Sequence, residues 1–338
     1  MTVPKKIVGR VSDWKKLPVS LSELCLDTTL RCGQSFRWRK SGDEEWSCAL
    51  HGRILSLRQD PSHLYYRAIF PPSTQLSTPP SPPPSSVSSI ENGADEKDDT
   101  LAYIEHYLNL KPHLMSLYEE WSTADKNFKK KAPRFTGVRI LKQDAWEALV
   151  GFICSSNNNI IRISQMVEKL CVHYGKLIGH IASEPFYDLP PASALTGPRV
   201  ESHLRELGFG YRAKYIQQTA KMLVEDRPVG WLDALRNPES PVFGLQPGEA
   251  GEMADVGREG YRQAHEHLLE LQGVGPKVAD CVCLMGLGWG EAVPVDTHFW
   301  QIAQRDYKFG RGKHASLTKA VYDSVGNHFR ELWGKEAG

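Results

Sequence analysis

The residues with the clearest capacity for chemistry lie in the last third of the chain, where a glycine-containing turn is followed by a lysine. Gly273, Val274 and Gly275 join two segments with helical periodicity, which leaves room only for a tight turn. Glycine permits positive φ and close approach of a ligand to the backbone. Pro276 then favours the first turn of a second helix, so the turn amides predict an anion cradle suited to a DNA phosphate. An ordinary helical hairpin inside a bundle explains the turn equally well at this point.

Lys277 follows this turn and could act as an amine nucleophile. A cation in the first turn of a helix opposes the helix dipole, at a cost of about 0.3–1 kcal/mol. An amine that acts as a nucleophile also needs partial removal from water. Cys281 follows one helical turn later and shares that helical face. The ordinary alternatives are a solvated surface lysine and a cysteine that fills the core.

A carboxylate follows the same helix. Asp296 precedes another helical pattern in the segment Val293-Pro-Val-Asp, which predicts an N-cap role. A carboxylate held near Lys277 would also stabilise positive charge that develops on a substrate sugar. Pro294 would fix the approach of the loop. Capping and catalysis do not exclude each other, so both roles remain open.

The elements that position these residues divide into two regions. Short alternating runs between Ser35 and Phe70, separated by Gly, Asp and Pro, predict an antiparallel β meander. From Leu101 to Trp333 the apolar residues recur at helical spacing. We therefore predict an α+β protein: a small antiparallel β domain over residues 1–110 and an all-α domain over residues 111–338, with the hairpin at about 260–287.

Two segments interrupt this pattern. Residues 71–99 are rich in Pro and Ser and then acidic, a composition that cannot bury enough apolar surface to order itself. We expect a disordered insertion there. Residues 237–257 are rich in Gly and Pro and predict a surface insertion.

Composition limits the class of protein. The 338 residues carry 41 Lys and Arg against 40 Asp and Glu, a net charge of +1, which excludes binding to nucleic acid by bulk charge but not by a local basic face. The chain contains neither an apolar run of membrane-spanning length nor a signal-peptide pattern, so we expect an intracellular protein without membrane contact. The 7 cysteines are scattered and never spaced CxxC, which argues against disulfides and zinc.

Several multi-residue motifs resemble a known enzyme family. The run from Gly273 to Met285, Val293-Pro-Val-Asp and Gln301-Ile-Ala-Gln-Arg-Asp-Tyr look like the helix-hairpin-helix DNA glycosylases. Three further segments resemble the eukaryotic, fungal-like 8-oxoguanine DNA glycosylases within that superfamily: Gly33-Gln-Ser-Phe-Arg-Trp, Phe152-Ile-Cys-Ser-Ser-Asn-Asn-Asn-Ile and Leu207-Gly-Phe-Gly-Tyr-Arg-Ala-Lys-Tyr.

The resemblance implies a role for each matching residue. Lys277 would attack the sugar C1′, expel the base and form a Schiff base that permits β-elimination, and Asp296 would assist at the sugar. The damaged base would be flipped into a pocket, where the carbonyl of Gly33 accepts the N7 hydrogen and Cys281 and Pro294 line the walls. The residues expected at the orphaned cytosine and the DNA backbone are Asn157, Arg162, Tyr211, Arg212 and His298, with Gly273, Val274 and Gly275 at a phosphate.

We therefore predict a bifunctional DNA glycosylase and AP lyase that excises 8-oxoguanine opposite cytosine in double-stranded DNA. No metal is expected, and because no cysteine follows Cys283, neither is an iron–sulfur cluster. A monomer located in the nucleus is expected, and the mitochondrion is left open as an additional location. The competing interpretations are a glycosylase for another oxidised base and a non-catalytic DNA-binding module. The presence of both Lys277 and Asp296 argues against the second.

Two features stand outside this assignment. Lys126, Lys129, Lys130, Lys131, Arg134, Arg139 and Lys142 form a stretch without Asp or Glu, which indicates a solvated face, a weak nuclear-localisation signal or a DNA contact. The family also continues past Gly334 into a helix whose glutamine and phenylalanine grip the flipped base, whereas this sequence stops at Gly338. We therefore expect a truncated chain or an incomplete gene model, with base excision impaired more than cleavage at abasic sites.

Overall fold

The computed structural model describes residues 10–42, 44–71, 98–310 and 317–338. Most of the predicted insertion at 71–99 lies outside the described residues. The N-terminal half is built on a six-stranded antiparallel sheet in the order β1-β6-β5-β4-β3, with β2 also paired to β6. The strands are β1 Arg10–Val11, β2 Lys15–Pro18, β3 Arg39–Lys40, β4 Trp46–Leu50, β5 Arg53–Gln59 and β6 His63–Phe70.

The helices follow the pattern expected from the apolar spacing. They are α1 Leu26–Thr29, α2 Thr100–Tyr107, α3 Leu114–Ala124, α4 Lys126–Lys131, α5 Ala145–Ser155, α6 Ile160–Tyr174, α7 Val200–Glu206, α8 Arg212–Lys221, α9 Trp231–Ala234, α10 Glu259–Leu269, α11 Pro276–Met285, α12 Thr297–Tyr307 and α13 Lys319–Trp333. The predicted α+β class, a small antiparallel sheet with a helical half, is confirmed.

The predicted first strand is shorter than expected. The alternating run from Ser35 suggests a strand, yet only Arg39–Lys40 pairs with β4. The preceding Phe36 is 8% exposed and packs edge-on against Phe152 of α5 at 5.7 Å between ring centroids. The run leaves the sheet because its aromatic side chain is buried in the helical core instead.

A second hairpin within the helical half was not predicted. Strands β7 (Leu177–Ile181) and β8 (Glu184–Tyr187) pair antiparallel with a bulge. Ile178 and Phe186 are buried against Ile54 of β5, so the hairpin covers one face of the main sheet. The opposite face packs on α1 and α2 through a separate apolar cluster that includes Leu55, Leu64 and Ile104.

Helix α5 lies at the centre of the molecule. Its residues Ala145 to Cys154 are almost all buried, and they pack against α6, α8 and α11. Each buried Leu, Ile or Phe side chain contributes about 1.5–3 kcal/mol relative to an exposed one. Asp144 caps the helix by accepting a hydrogen bond from the Glu147 amide at 2.9 Å. Sequence and packing therefore both favour a helix at this position.

A buried ion pair joins the β half to α5. The Arg37 side chain is 3% exposed, and its Nε donates to Glu147 at 3.1 Å while Nη1 lies 3.4 Å from Asp188. Nη2 donates to the carbonyl of Ala49 in β4. Burial raises the pKa of Glu147, and the neighbouring guanidinium counteracts this effect. This buried pair is one of several electrostatic contacts between the two halves, which also include Arg39–Glu168 and Arg139–Glu23.

The segment 237–257 lies mostly at the surface, yet it is anchored at two points. Asn237 and Ser240 are buried, and the ring of Phe243 meets those of His51 and Tyr103 at 5.6 and 5.2 Å. Between this segment, α2 and the start of α5 lies a cleft of about 660 Å³. Within the described ranges, every helix is too short or too polar to cross a bilayer.

Candidate active site

The turn between α10 and α11 requires glycine at its first position. Gly273 has φ of +78°, and a Cβ there would lie 2.6 Å from the ring of Tyr215. Val274 is 8% exposed and fixes the turn in the core. At Gly275 the space that a Cβ would occupy is open, so a ligand can approach the backbone. No side chain caps the first-turn amides of α11, among the residues described, which leaves them available to an anion.

Lys277 is the second residue of α11 and is half-buried. Its Nζ lies 5.2 Å from the ring centroid of Phe152 on α5, a cation–π contact. The ring shields one side of the amine from water. Sequence reasoning did not single out Phe152, because an apolar residue on a buried helix is ordinarily part of the core.

Cys281 lies one turn after Lys277 and is 2% exposed. Burial raises the pKa of this thiol to about 11, although the nearby ammonium of Lys277 acts in the opposite direction and Asp296 reinforces the rise. Lys277 and Asp296 therefore both lie within electrostatic reach of Cys281. Because the thiol stays neutral at physiological pH, it does not compete with the amine as a nucleophile.

Asp296 caps α12. Its Oδ1 accepts a hydrogen bond from the Phe299 amide at 2.8 Å. Val293 and Val295 are each 1% exposed and anchor the loop, while Pro294 between them is only partly buried. His298 is exposed in the first turn of α12, where a phosphate can reach it.

A buried carboxylate connects the helix of Lys277 to the loop of Asp296. Asp280 is 2% exposed and accepts hydrogen bonds from Tyr261 of α10, at 2.6 Å, and from Tyr322 of α13. Burial raises the pKa of Asp280, and burial together with the carboxylate raises the pKa of both phenols. The oxygen of Tyr322 also lies 3.4 Å from the amide nitrogen of Val295, which donates to it. The sequence did not reveal this network, since an Asp in mid-helix resembles a surface residue.

The residues expected at the orphaned cytosine meet at two adjoining loops. Asn157 has φ of +48° in the turn between α5 and α6. Tyr211 donates to the carbonyl of Ser156 at 3.1 Å, and Arg212 donates to the carbonyls of Ser156 and Asn157. Arg212 is only 3% exposed, so its guanidinium holds the turn. Tyr211 is 46% exposed.

Arg162 differs from Arg212 in its surroundings. It lies exposed in the first turn of α6, and among the described residues its guanidinium makes a single hydrogen bond, to the carbonyl of Gly208, which is long at 3.5 Å. Its donors are therefore available to a base edge. The two loops also adjoin the hairpin, because Thr219 of α8 donates to the carbonyl of Gln272 at 2.9 Å.

Gly33 lies in the loop between α1 and β3. It has φ of +88°, and the atoms within 4 Å of an added Cβ belong to Ile160 at the start of α6. Its neighbour in sequence, Phe36, reaches Phe152 and so connects this loop to the surroundings of Lys277.

No group of three or more His, Cys, Asp or Glu side chains could hold a metal ion in the part of the chain that the structure describes. Cys281 and Cys283 are both buried in α11. The chemistry available at the site is that of an amine, a carboxylate and backbone amides.

Two family models together match most of the chain. The N-terminal domain of 8-oxoguanine DNA glycosylase matches residues 16–149, and the HhH-GPD superfamily of base excision DNA repair proteins matches residues 150–325. The N-glycosylase/DNA lyase of Saccharomyces cerevisiae is 38% identical over 314 residues, covering 92% of this chain and 76% of the yeast protein. The N-glycosylase/DNA lyase OGG1 of Arabidopsis thaliana is 34% identical over 330 residues, covering 96% and 77%.

Solved structures share the fold. A structure of MBOgg1 with a low-affinity DNA ligand superposes with a TM-score of 0.71 at 23% identity, covering 98% of this chain and 94% of that one. The apo form of Clostridium acetobutylicum 8-oxoguanine glycosylase/lyase gives a TM-score of 0.71 at 21% identity, covering 99% and 95%. The β half and the helical half are thus arranged as in known members of this fold.

Proposed function

Because the chain belongs to the 8-oxoguanine DNA glycosylase family of the HhH-GPD superfamily, we infer that it is a bifunctional DNA glycosylase and AP lyase. Its substrate is 8-oxoguanine opposite cytosine in duplex DNA. The observation that carries this proposal is the position of Lys277. The amine lies in the first turn of α11 and is half-buried against Phe152. Both this amine and the carboxylate of Asp296 lie close enough to Cys281 to shift the pKa of its thiol.

The chemistry follows from the amine. The free amine of Lys277 attacks C1′ of the flipped nucleotide, and the bond from C1′ to N9 breaks with its electron pair on the departing base. The amine gives a proton to the departing base, the C1′–O4′ bond then breaks as O4′ takes up a proton from solvent, and an iminium forms between Nζ and C1′. Removal of a C2′ proton then breaks the C3′–O bond and releases the 3′ phosphate. Water finally hydrolyses the iminium and frees the lysine.

Asp296 serves the first of these steps. Positive charge develops on the sugar as the base departs, and a carboxylate held by the first-turn amide of Phe299 stabilises that charge. The phenyl ring of Phe152 limits the access of water to Lys277. Neither residue needs to move for this role, because α5 and the Val293–Val295 loop are fixed in the core.

Recognition of the lesion and of its partner base uses separate loops. The carbonyl of Gly33 accepts the N7 hydrogen that only the oxidised base carries, and Pro294 and Cys281 line the pocket. One such hydrogen bond contributes about 0.5–1.5 kcal/mol, so it provides only part of the discrimination against guanine. Arg162 and Asn157 read the orphaned cytosine, while Arg212 holds their turn in place.

The DNA backbone contacts a different part of the site. The amides of Gly273 to Gly275 and of the α11 first turn bind a phosphate, and His298 binds another. Tyr211, exposed beside the reading loop, fills the space that the flipped base leaves. We further propose that the enzyme acts as a monomer without metal or iron–sulfur cluster, in the nucleus and also in the mitochondrion. The amine mechanism needs no cofactor.

Borohydride trapping tests the proposal directly. Duplexes that carry 8-oxoguanine opposite each of the four bases are incubated with the protein and reduced, which converts the iminium to a stable adduct. We expect the highest yield opposite cytosine, little adduct with undamaged guanine, and none with Lys277→Gln. That variant should still bind lesion DNA, because the phosphate and base contacts remain. An adduct formed by Lys277→Gln would assign the nucleophile to another amine.

A further inference from the structure

A group of cations lies outside the active site. The basic patch consists of Lys126, Lys129 and Lys130 of α4 and of Arg134 just after it, and all four side chains are exposed. We propose that the basic patch binds the phosphate backbone of the duplex several base pairs from the flipped nucleotide, on one side of it. The proposal rests on the proposed function and extends its DNA footprint.

The orientation of α4 is fixed by its opposite face. Phe128 packs edge-on against Tyr118 and Trp121 of α3, at 5.3 and 5.5 Å, and against Trp333 of α13. Asp125 caps the helix by accepting from the Asn127 amide at 2.7 Å. With Phe128 held inward, the lysines three and four residues apart face solvent together.

The basic patch carries charge that the described residues do not neutralise. None of its four cations lies within 4.0 Å of a carboxylate in the described ranges, whereas the neighbouring Lys131 forms an ion pair with Asp306. The sequence contains no Asp or Glu from residue 126 to residue 143. Glu119 and Glu120 on α3 are exposed but make no ion pair with the patch in the described structure. Like charges at this spacing repel one another, and a phosphate backbone relieves that repulsion.

Two other cations of the same stretch, Arg139 and Lys142, are held within the protein rather than exposed. Arg139 is 5% exposed, and its guanidinium pairs with Glu23 and with the carbonyls of Asn109 and Pro112. Lys142 is half-buried in the cleft between the halves. The stretch identified in the sequence thus separates into a structural part and an exposed part, and only the exposed part suits a ligand.

Helix α12 connects the basic patch to the active site. It begins after Asp296 and runs 11 residues, a length of about 16 Å at 1.5 Å per residue. At its far end Asp306 and Tyr307 contact Lys131 and Asp125 of the α4 region. His298 and Arg305 lie two turns apart along an exposed face of α12. Since B-DNA rises about 3.4 Å per base pair, a duplex that follows α12 reaches the patch about five base pairs from the lesion.

The test compares four neutralising substitutions with a matched control. The patch variant carries Lys126→Gln, Lys129→Gln, Lys130→Gln and Arg134→Gln. The control removes the same charge from exposed lysines of the sheet and the β7 strand region: Lys15→Gln, Lys16→Gln, Lys40→Gln and Lys176→Gln. Affinity for a 25-base-pair lesion duplex is measured over a range of salt concentrations. Each phosphate contact contributes about 0.9 to the slope of log K against log salt.

We expect the slope of the patch variant to fall by about 2 to 4 and its affinity at low salt to fall at least about tenfold, while the control keeps wild-type values. The difference in affinity between patch variant and wild type should vanish when the lesion lies three base pairs from the end of the duplex that would contact the patch, because the DNA then ends before the patch. The difference should persist when the lesion lies three base pairs from the other end. Thermal unfolding confirms that both variants are folded.

The outcomes separate this proposal from the proposed function. If wild type excises the lesion but the patch variant keeps its salt slope, the basic patch does not contact DNA. If that variant instead loses nuclear accumulation in cells while its slope is unchanged, the lysines serve an import receptor and the proposal is overturned. If wild type neither excises nor traps, the proposed function itself fails, whatever the slopes.

Discussion

At the scale of single residues, Asp296 combines a structural and a chemical task. Its carboxylate accepts the Phe299 amide, and an Asn side chain can accept the same hydrogen bond. Asp296→Asn should therefore keep α12 intact while it removes the negative charge at the sugar. We expect single-turnover excision to slow by about 10²–10³-fold, the usual effect of losing one electrostatic contact to a transition state.

The control for Asp296→Asn is Asp296→Ala, which removes the cap as well. It should lower the melting temperature in addition to the rate, because a lost N-cap costs about 0.5–2 kcal/mol. If the Asn variant excises at the wild-type rate while it remains folded, the charge of Asp296 plays no part in base release.

The two arginines near the orphaned base should differ when each is replaced by alanine. Arg162 is exposed, so Arg162→Ala should reduce the preference for cytosine over adenine by about 1–3 kcal/mol without loss of stability. Arg212 is buried and holds the carbonyls of Ser156 and Asn157, so Arg212→Ala should lower both the preference and the unfolding midpoint in urea. Excision rates opposite the four bases, measured beside urea curves, separate the two. Equal stability of both variants would contradict the role assigned to Arg212.

The sequence supports some site residues better than others. Lys277 and Asp296 occupy helix starts that the turn and capping patterns locate without any contact information. Phe152 and Asp280 are different, because their roles depend on which helix lies opposite them. An apolar ring on α5 and an acid in mid-α11 give no local signal, and only the packing of α5, α10 and α13 around α11 makes their positions informative.

At the scale of elements, α13 packs against the Val293–Val295 loop and also reaches it through the hydroxyl of Tyr322. Tyr322 and Tyr261 both donate to Asp280, but only Tyr322 also accepts from the Val295 amide, next to Pro294 and Asp296. Tyr322→Phe should therefore slow single-turnover excision about tenfold, since the Val295 amide next to Pro294 and Asp296 loses its hydrogen-bond acceptor although the loop stays packed in the core. Tyr261→Phe loses one hydrogen bond to the same carboxylate and serves as the matched control.

Each tyrosine variant should lose about 1.5–3 kcal/mol for its hydrogen bond to the buried carboxylate, and Tyr322→Phe also loses the long contact from the Val295 amide. The informative quantity is the difference in excision rate at similar stability. If Tyr261→Phe slows excision as much as Tyr322→Phe, the network acts through α11 alone and the contact to Val295 is unimportant.

The secondary structure illustrates what local patterns can and cannot predict. Helices with long apolar periodicity, such as α5 and α6, are recognisable in the sequence because one face must be buried. The β7–β8 hairpin was missed because its strands have only five and four residues, the second containing Pro185. Its partner surface is Ile54 of β5, more than 120 residues away in sequence, and no local pattern reveals that contact.

At the scale of the whole molecule, the cleft between the halves should make stability depend on pH. His106 lies in this cleft, and burial, together with Lys142, Arg236 and Lys111, lowers its pKa from 6.5 to about 4. The unfolded chain therefore binds a proton between pH 6.5 and 4 that the folded chain excludes. Above pH 6.5 the neutral His106 does not reduce the free energy of unfolding. As the pH falls from 6.5 towards 4, the unfolded chain takes up the proton first and the free energy of unfolding decreases.

His106→Gln should flatten that dependence. The free energy of unfolding that wild type loses through His106 is less than about 1.4 kcal/mol per pH unit, because solvent screens a half-exposed ring. The variant avoids this loss. Urea midpoints at pH 7.5 and pH 5 should converge in this variant relative to wild type, and the exposed His173→Gln serves as control. A variant with the wild-type dependence on pH would show that other groups govern acid unfolding.

Helix α5 has a consequence for how such proteins can be recombined. The boundary between the two matched family models, at residues 149 and 150, falls inside this helix. Glu147 on one side of the boundary pairs with Arg37, and Phe152 on the other side touches Lys277. A chimaera spliced at that boundary would take Glu147 from one parent and Phe152 from the other. These two residues lie less than two turns apart on the same helix. Exchange of the amino-terminal half between relatives should succeed only when the crossover lies before Asp144 and the donor supplies an arginine for Glu147.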